Sequence, residues 1–274
     1  MAKKNIKRKV FKLKERQFIT PHFIRLTLGN DEVSDFKNTT VGVNNKIFIA
    51  PEGCDKVYLP EFDFEKGTWK PMDLSIKPTI RTYTHRGINL KKNELYIDFV
   101  AHGDEGPASD FALNAPIGAE LGIAMGCDST ELFPQADTYL LVGDATAIPV
   151  LASILEALPA SVKGHAVIEV ETEEDIQNLT TLADIDFVWL INSTPGKNSE
   201  LAQKVKHIVE TKDNMLTKFA YIAAEFSTVK ELRSYLRKDK RWEKDELYAY
   251  SYWKYGKAES VSEIDRRAEK DNDV

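Results

Sequence analysis

Through residues 1–133 the apolar positions come in short alternating or β-branched runs, as in "FIRLTLGN" (23–30), "NKIFIAPEG" (45–53) and "ELYIDFVAHG" (94–103). A period of two turns one face of each run toward a core, so these runs predict strands. Gly, Asn and Pro separate them, "PIGAELGIAMG" (116–126) closes the stretch, and together they predict an antiparallel β-barrel. After the connector "ELFPQAD" the rhythm changes. "TYLLVGD" is an apolar strand run, and "TAIPVLASILEAL" behind it reads as a helix with Pro149 in the first turn, where a missing N–H does little harm. "HAVIEVE" (165–171), "DFVWLI" (186–191) and "FAYIAA" (219–224) are further buried strands, and "ELYAYSYW" (246–253) adds an edge strand. Between them "NSELAQKVKHIVE" is helical, as is "STVKELRSYLRK", which opens with a Thr228/Glu231 capping box. Strands alternating with helices predict an α/β, Rossmann-like domain on a parallel sheet. The organisation expected is a barrel domain over 1–133, an α/β domain over 134–256 and a charged tail over 257–274.

At 274 residues the chain is long enough for two domain cores. With 37 basic and 43 acidic residues the formal charge is −6, which argues against general nucleic-acid binding. The basic stretch "KKNIKRKVFKLKER" near the start is expected to be a solvated lead-in to the first strand. No long apolar run follows it, so the expectation is a cytoplasmic protein with neither signal peptide nor membrane span. Cys54 and Cys127 are the only cysteines, too few for a four-Cys cluster or zinc site. No Ser-His-Asp set or metal-spaced His/Cys group appears, which sets aside the common hydrolase and metalloenzyme classes. Redox chemistry would need a borrowed cofactor.

Three stretches carry candidate chemistry. In "RTYTHR" (81–86) strand alternation places Arg81 and Tyr83 on one face and Thr82 and Thr84 on the other. A fixed cation beside an aromatic ring suits a ligand with both phosphate and a flat ring system, as FAD has. "HGDEGPAS" (102–109) brings Gly106, a Pro and Ser109 to the start of a helix, whose N–H groups suit a pyrophosphate. "GDATAIP" (143–149) stands at the carboxyl end of a strand leading into a helix, a position that either takes phosphate or is a plain strand-to-helix turn, the G-x-G-x-x-G pattern being absent. The acidic run "ETEED" (171–175) is either a ribose-binding carboxylate set that repels a 2′-phosphate or a solvated loop.

"RTYTHR", "DFVAHGDEGPASDFA" (98–112), "GDATAIP" and "YWKYG" (252–256), in this order, resemble the siderophore-interacting proteins, which are flavin-dependent ferric-siderophore reductases within the ferredoxin-reductase-like group. The resemblance runs from about residue 10 to 257. It implies that Arg81 holds the FAD pyrophosphate, that Tyr83 packs on the flavin and that Thr84 bonds near its N5 edge, with Tyr83 and Thr84 as the catalytic pair. It further implies that Val100, His102, Ala108 and Ser109 complete the FAD site, with Asp144 and Thr146 near the junction of the two domains. The activity implied is reduction of a ferric siderophore in the cytoplasm, releasing iron as Fe(II), with NADH, NADPH or a ferredoxin as donor. Lys46, Arg86, Lys254 and Lys257 are the candidate cations for the anionic chelate. Asn192 stands in "VWLINS" where relatives often carry Arg, which shifts the expected donor toward NADH or a protein. A general flavin or ferredoxin reductase, and a siderophore-binding carrier without turnover, are the alternatives.

Overall fold

The computed structural model describes residues 5–63, 66–101, 106–212 and 217–257. The chain divides into two compact units, Met1–Leu132 and Phe133–Val274.

The first unit is built on a seven-stranded antiparallel sheet. Its strands are β1 (Ile6–Thr20), β2 (Phe23–Gly29), β3 (Asn44–Ile49), β6 (Thr79–Thr84), β7 (Gly87–Asn89), β8 (Glu94–Val100) and β9 (Glu120–Gly126), in the order β6-β3-β9-β1-β2-β8-β7. A small hairpin of β4 (Phe62–Asp63) and β5 (Thr68–Trp69) lies between β3 and β6 in sequence, and the helix α1 (Pro107–Asn114) follows β8. The sheet curls into a half-barrel around Phe11, Leu13, Ile24, Leu26, Ile47 and Phe99, all fully or almost fully buried. The Tyr83 ring on edge strand β6 meets Phe99 on β8 at a centroid distance of 4.3 Å, so side chains bring the two ends of the sheet together.

The basic stretch near the start is not a solvated lead-in. From Ile6 onward it is the body of β1, which pairs along Ile6–Lys12 with β9 and along Lys12–Thr20 with β2. Lysines and arginines at alternate positions hide the strand from a charge-based reading, because the residues between them, Phe11 and Leu13, point into the core. Lys7 and Lys9 are matched on the outside by Asp35, and Lys9 also by Glu32.

The second unit is a five-stranded parallel sheet of β10 (Thr138–Asp144), β11 (Lys163–Val170), β12 (Asp184–Ile191), β13 (Lys218–Glu225) and β14 (Leu247–Trp253), ordered β12-β11-β10-β13-β14. The helix α2 (Ile148–Ala157) links β10 to β11, α3 (Leu201–Lys212) links β12 to β13, and α4 (Phe226–Ser234) links β13 to β14. One face packs Leu140, Val142, Val167 and Ile222 against Val205 of α3 and Leu232 of α4. Gly143 allows the turn after β10 to lie on the sheet, since a Cβ there would stand 2.5 Å from Ala147 Cβ and 2.9 Å from the Ala223 carbonyl. The strand order turns outward in both directions from β10 and β13, which makes the carboxyl ends of these two strands the switch point.

Two local expectations change. α4 begins at Phe226, directly out of β13, and its cap is the Glu225 carboxylate accepting from Ser227 N at 2.6 Å. Thr228 therefore lies inside the helix and is no N-cap. The acidic run at 171–175 is a structured turn, in which Thr172 and the buried Asp175 cap each other reciprocally. No helix among the described residues is long and apolar enough to cross a membrane.

Candidate functional site

In the first unit the register of β3 and β6 sets the geometry. Arg81 lies opposite Ile47 and Tyr83 opposite Asn45, so this cation and ring do share a face, while Lys46 lies opposite Thr82 on the other and donates to its hydroxyl at 2.6 Å. Arg81 is half-buried and donates from Nη1 to the Ile80 carbonyl at 2.9 Å. Thr84, which ends the strand, is buried. Asn45 is 3 % exposed with both carboxamide atoms unpartnered, and His85 is 1 % exposed with Nε2 unpartnered. Unpaired buried polar atoms are costly, and those of Asn45 and His85 lie beside or within the Tyr83–His85 segment. Burial alone pushes the His85 imidazolium down to about 4, so the ring is neutral near pH 7.

Val100 ends β8 and is half-buried. His102 lies outside the described residues. Gly106 is the N-cap of α1 and supplies no side-chain cap, Pro107 opens the helix, and Ala108 and Ser109 follow in its first turn, both buried. The helix thus starts two residues before Ser109, with first-turn N–H groups that no side chain of its N-cap satisfies. The start of α1, the Arg81 guanidinium, the Tyr83 ring and the Thr84 hydroxyl are groups of the kinds that could hold a phosphate and a flat ring system. Arg86 is differently placed. Its Nε stands 3.6 Å from Asp98 Oδ2, and the same buried carboxylate takes a two-pronged contact from Arg25 at 2.7 and 2.8 Å. Asp98 thereby gathers two guanidinium groups, which gives Arg86 a structural partner inside the unit.

In the second unit three adjacent strands each carry a buried carboxylate at their last or, in β11, next-to-last residue. Asp144 of β10 accepts on Oδ1 from Thr146 N (3.0 Å) and Thr146 Oγ1 (2.5 Å), and on Oδ2 from Glu225 N (2.9 Å) and Trp253 Nε1 (2.8 Å). Glu225 of β13 accepts from Ser227 N and Ser227 Oγ on one oxygen and from Tyr255 N (3.1 Å) on the other. Glu169 of β11 accepts from Asn192 Nδ2 (3.1 Å) and Ser199 Oγ (2.7 Å). All these donors are neutral. Burial pushes the Asp144 and Glu169 carboxyls up, and the hydrogen bonds pull them part of the way back. The four donors fill the lone-pair positions of Asp144, so its role within this unit is to tie β10, β13 and β14 together.

Past β14 the chain turns at Tyr255 and Gly256, and Lys254 and Lys257 pair across that turn. Lys254 Nζ stands 4.4 Å over the Phe226 ring, and Lys257 is exposed. Glu225, Glu169 and Trp253 were missing from the sequence-derived site. The signal was present in the acids that close the runs "TYLLVGD" and "FAYIAAE" and that interrupt "HAVIEVE", since an apolar strand ending in a carboxylate must find donors for it.

Residues 136–256 match the model of the siderophore-interacting protein family, and residues 12–126 match that of the siderophore-interacting FAD-binding domain. The ferric vibriobactin reductase ViuB of Vibrio cholerae is 28 % identical over 258 residues, covering 94 % of this chain and 93 % of the relative. The siderophore-interacting protein SipS of Aeromonas hydrophila superposes with a TM-score of 0.81 at 28 % identity, covering 96 % of this chain and 98 % of that one. A ferredoxin NADP+ reductase of Neisseria gonorrhoeae shares the fold alone, at a TM-score of 0.61 and 14 % identity over 89 % of this chain and 98 % of that one. The half-barrel carrying the Arg81–Thr84 strand and the parallel sheet ending at Trp253 are thus the two parts of a known architecture, and the chain belongs to the siderophore-interacting protein family.

Proposed function

We propose that the chain is an FAD-dependent reductase of ferric siderophores, drawing electrons from NADH, NADPH or a reduced protein such as a ferredoxin and releasing iron as Fe(II). The observation that carries this is the β6 segment, where a cation, a half-buried aromatic ring and a buried hydroxyl follow one another on the edge strand of a siderophore-interacting FAD-binding unit. Arg81 and the start of α1 would hold the pyrophosphate, with Ala108 and Ser109 lining that end, and the Tyr83 ring would cover the isoalloxazine. The Thr84 hydroxyl would hydrogen-bond at the reacting edge. A bound flavin supplies the conversion of a two-electron donor to one-electron steps, which Fe(III) requires. Siderophores hold Fe(III) far more tightly than Fe(II), so a protein that reduces the chelate needs no iron ligands of its own. Lys46, Lys254 and Lys257 are the cations that would steer an anionic chelate, with Arg86, between β6 and β7 and paired with Asp98, as a fourth.

The name of the Vibrio cholerae relative, a ferric vibriobactin reductase, supports the same reading. The test is direct. Purified chain should carry flavin absorbance, bleach under NADH or NADPH without oxygen, and yield Fe(II) from a ferric siderophore in a chelator-trap assay. A colourless protein that binds a ferric chelate without turnover is a carrier, and a flavoprotein that reduces dyes yet ignores every chelate is a general reductase.

A further inference from the structure

The loop from Asn192 to Ser199 joins β12 to α3, and Asn192 is fully engaged within it. Its Nδ2 donates to Glu169 Oε1 at 3.1 Å and to the Lys197 carbonyl at 2.9 Å, and its Oδ1 accepts from Thr194 N and Thr194 Oγ1 at 3.0 and 3.1 Å. That is the whole hydrogen-bonding capacity of a carboxamide, so Asn192 itself has nothing left for a ligand. What it does is pin Lys197. The adjacent Gly196 has φ +82°, and a Cβ there would come within 2.7 Å of the Trp253 ring and 2.9 Å of the Tyr255 ring. The loop therefore lies directly on the "YWKYG" turn, and Lys197 Nζ reaches 4.8 Å from the centroid of Tyr255. Tyr255 is 48 % exposed, while its backbone N–H is fixed by Glu225 at 3.1 Å. Lys254 and Lys257 flank it on the same turn. A cation thus stands five residues past Asn192, its backbone carbonyl held by the Asn192 carboxamide.

We propose that Lys197 and Tyr255 form a further contact for the ferric chelate, and that this pair selects chelates with anionic aryl arms, of the catecholate kind, over uncharged hydroxamates. The proposal rests on the reductase reading above. A catecholate presents a flat π-face and negative charge together; an exposed tyrosine ring matches the first and an ammonium 4.8 Å from that ring's centroid the second. A hydroxamate arm offers neither. Asn192 acts as a positioning residue for Lys197, and Tyr255 is placed by Glu225 and Gly196.

The experiment measures binding of a ferric tris-catecholate and of a neutral ferric trihydroxamate to the full chain, by quenching of intrinsic fluorescence, for the wild type and for Lys197→Ala, Lys197→Arg, Tyr255→Leu and Asn192→Ala. A contact of this class at an exposed site corresponds to about a threefold to fivefold loss of catecholate affinity in Lys197→Ala and Tyr255→Leu. The arginine variant should recover most of that loss, Asn192→Ala should share it, and hydroxamate affinity and flavin content should stay at wild-type values. Unchanged catecholate affinity in both Lys197→Ala and Tyr255→Leu overturns the proposal, as does an equal loss for both chelate classes. A rise in KM for NADPH alone in Lys197→Ala also overturns it, because the lysine would then read a donor phosphate. If the wild type binds hydroxamate and catecholate equally and reduces both, the selectivity fails while the reductase reading stands. If it binds and reduces neither, the reductase reading fails first.

Discussion

His85 stands one residue past the hydroxyl assigned to the reacting edge, and it titrates in a telling direction. Its folded pKa, about 4, lies below the ordinary histidine value of 6.5, so the unfolded chain binds more protons between those two values and stability rises with pH through that window. The contribution is complete above about 6.5 and is lost as pH falls through about 4. It amounts to on the order of 3 kcal/mol. Thermal melts of the first unit's transition should therefore drop steeply from pH 7 to pH 4, and His85→Leu should flatten that slope. A variant that melts with the wild-type pH dependence would show that the ring is not buried neutral. Asp144 and Glu169 carry the opposite sign. Their folded pKa values are raised, so their contribution is present below the ordinary carboxylate range and is lost as pH climbs through the raised values. At the same scale, Arg81→Ala should weaken flavin retention by ~1.5–3 kcal/mol, the worth of a charge-assisted bond to phosphate. The flavin-to-protein absorbance ratio after dialysis measures it, and full occupancy would refute the assignment.

At the scale of elements, what is legible in a sequence depends on whether one face of the element is buried. β8 alternates, with Leu95, Ile97 and Phe99 on its core face, and β10 and β13 read as apolar runs because both their faces are covered. β1 was hidden by its own lysines, whose methylene stems cover the strand while their charges reach Asp35 and Glu32. The start of α4 was misplaced because its cap is the last residue of the strand before it, so no loop residue marks the boundary. Arg81 and Tyr83 could be placed on one face, since strand alternation fixes that. The approach of Lys197 to Tyr255 could not be read, because the two are 58 positions apart and meet through the turn at Gly196. That turn makes its own prediction. Gly196→Ala meets both a left-handed φ and the Trp253 ring, and should destabilise the second unit by about 1–3 kcal/mol. Hydrogen exchange should speed up over residues 193–198; unchanged exchange and melting would mean that the loop does not rest on Trp253.

At the scale of the whole molecule, a net charge of −6 coexists with lysines gathered at single turns, so attraction for an anionic chelate is local and short in range. The wild-type affinity for an anionic ferric siderophore should fall as salt rises to 1 M, where the Debye length is roughly 3 Å, and Lys254→Ala should weaken binding at low salt while leaving flavin content intact. Affinity indifferent to salt would place the chelate away from these lysines. The buried carboxylates at the ends of β10, β11 and β13 bear on the donor. With Asn192 closed upon itself and acids beneath it, NADH should serve at least as well as NADPH. Steady-state kinetics with a marked preference for NADPH would sink that expectation.

β1 is made first, yet one of its two neighbours is β9, with Ile6 facing Gly126 and Lys12 facing Glu120. During synthesis the β1–β2 hairpin can form early, but the other edge of β1, with its row of unpaired amides and carbonyls, stays open until more than a hundred further residues have left the ribosome. Closing so long a loop is slow, and an open strand edge in the meantime is a template for pairing with other chains. The alternating lysines that made β1 so hard to read then have a second use: like charges along an unpaired edge keep nascent copies apart until the proper partner arrives.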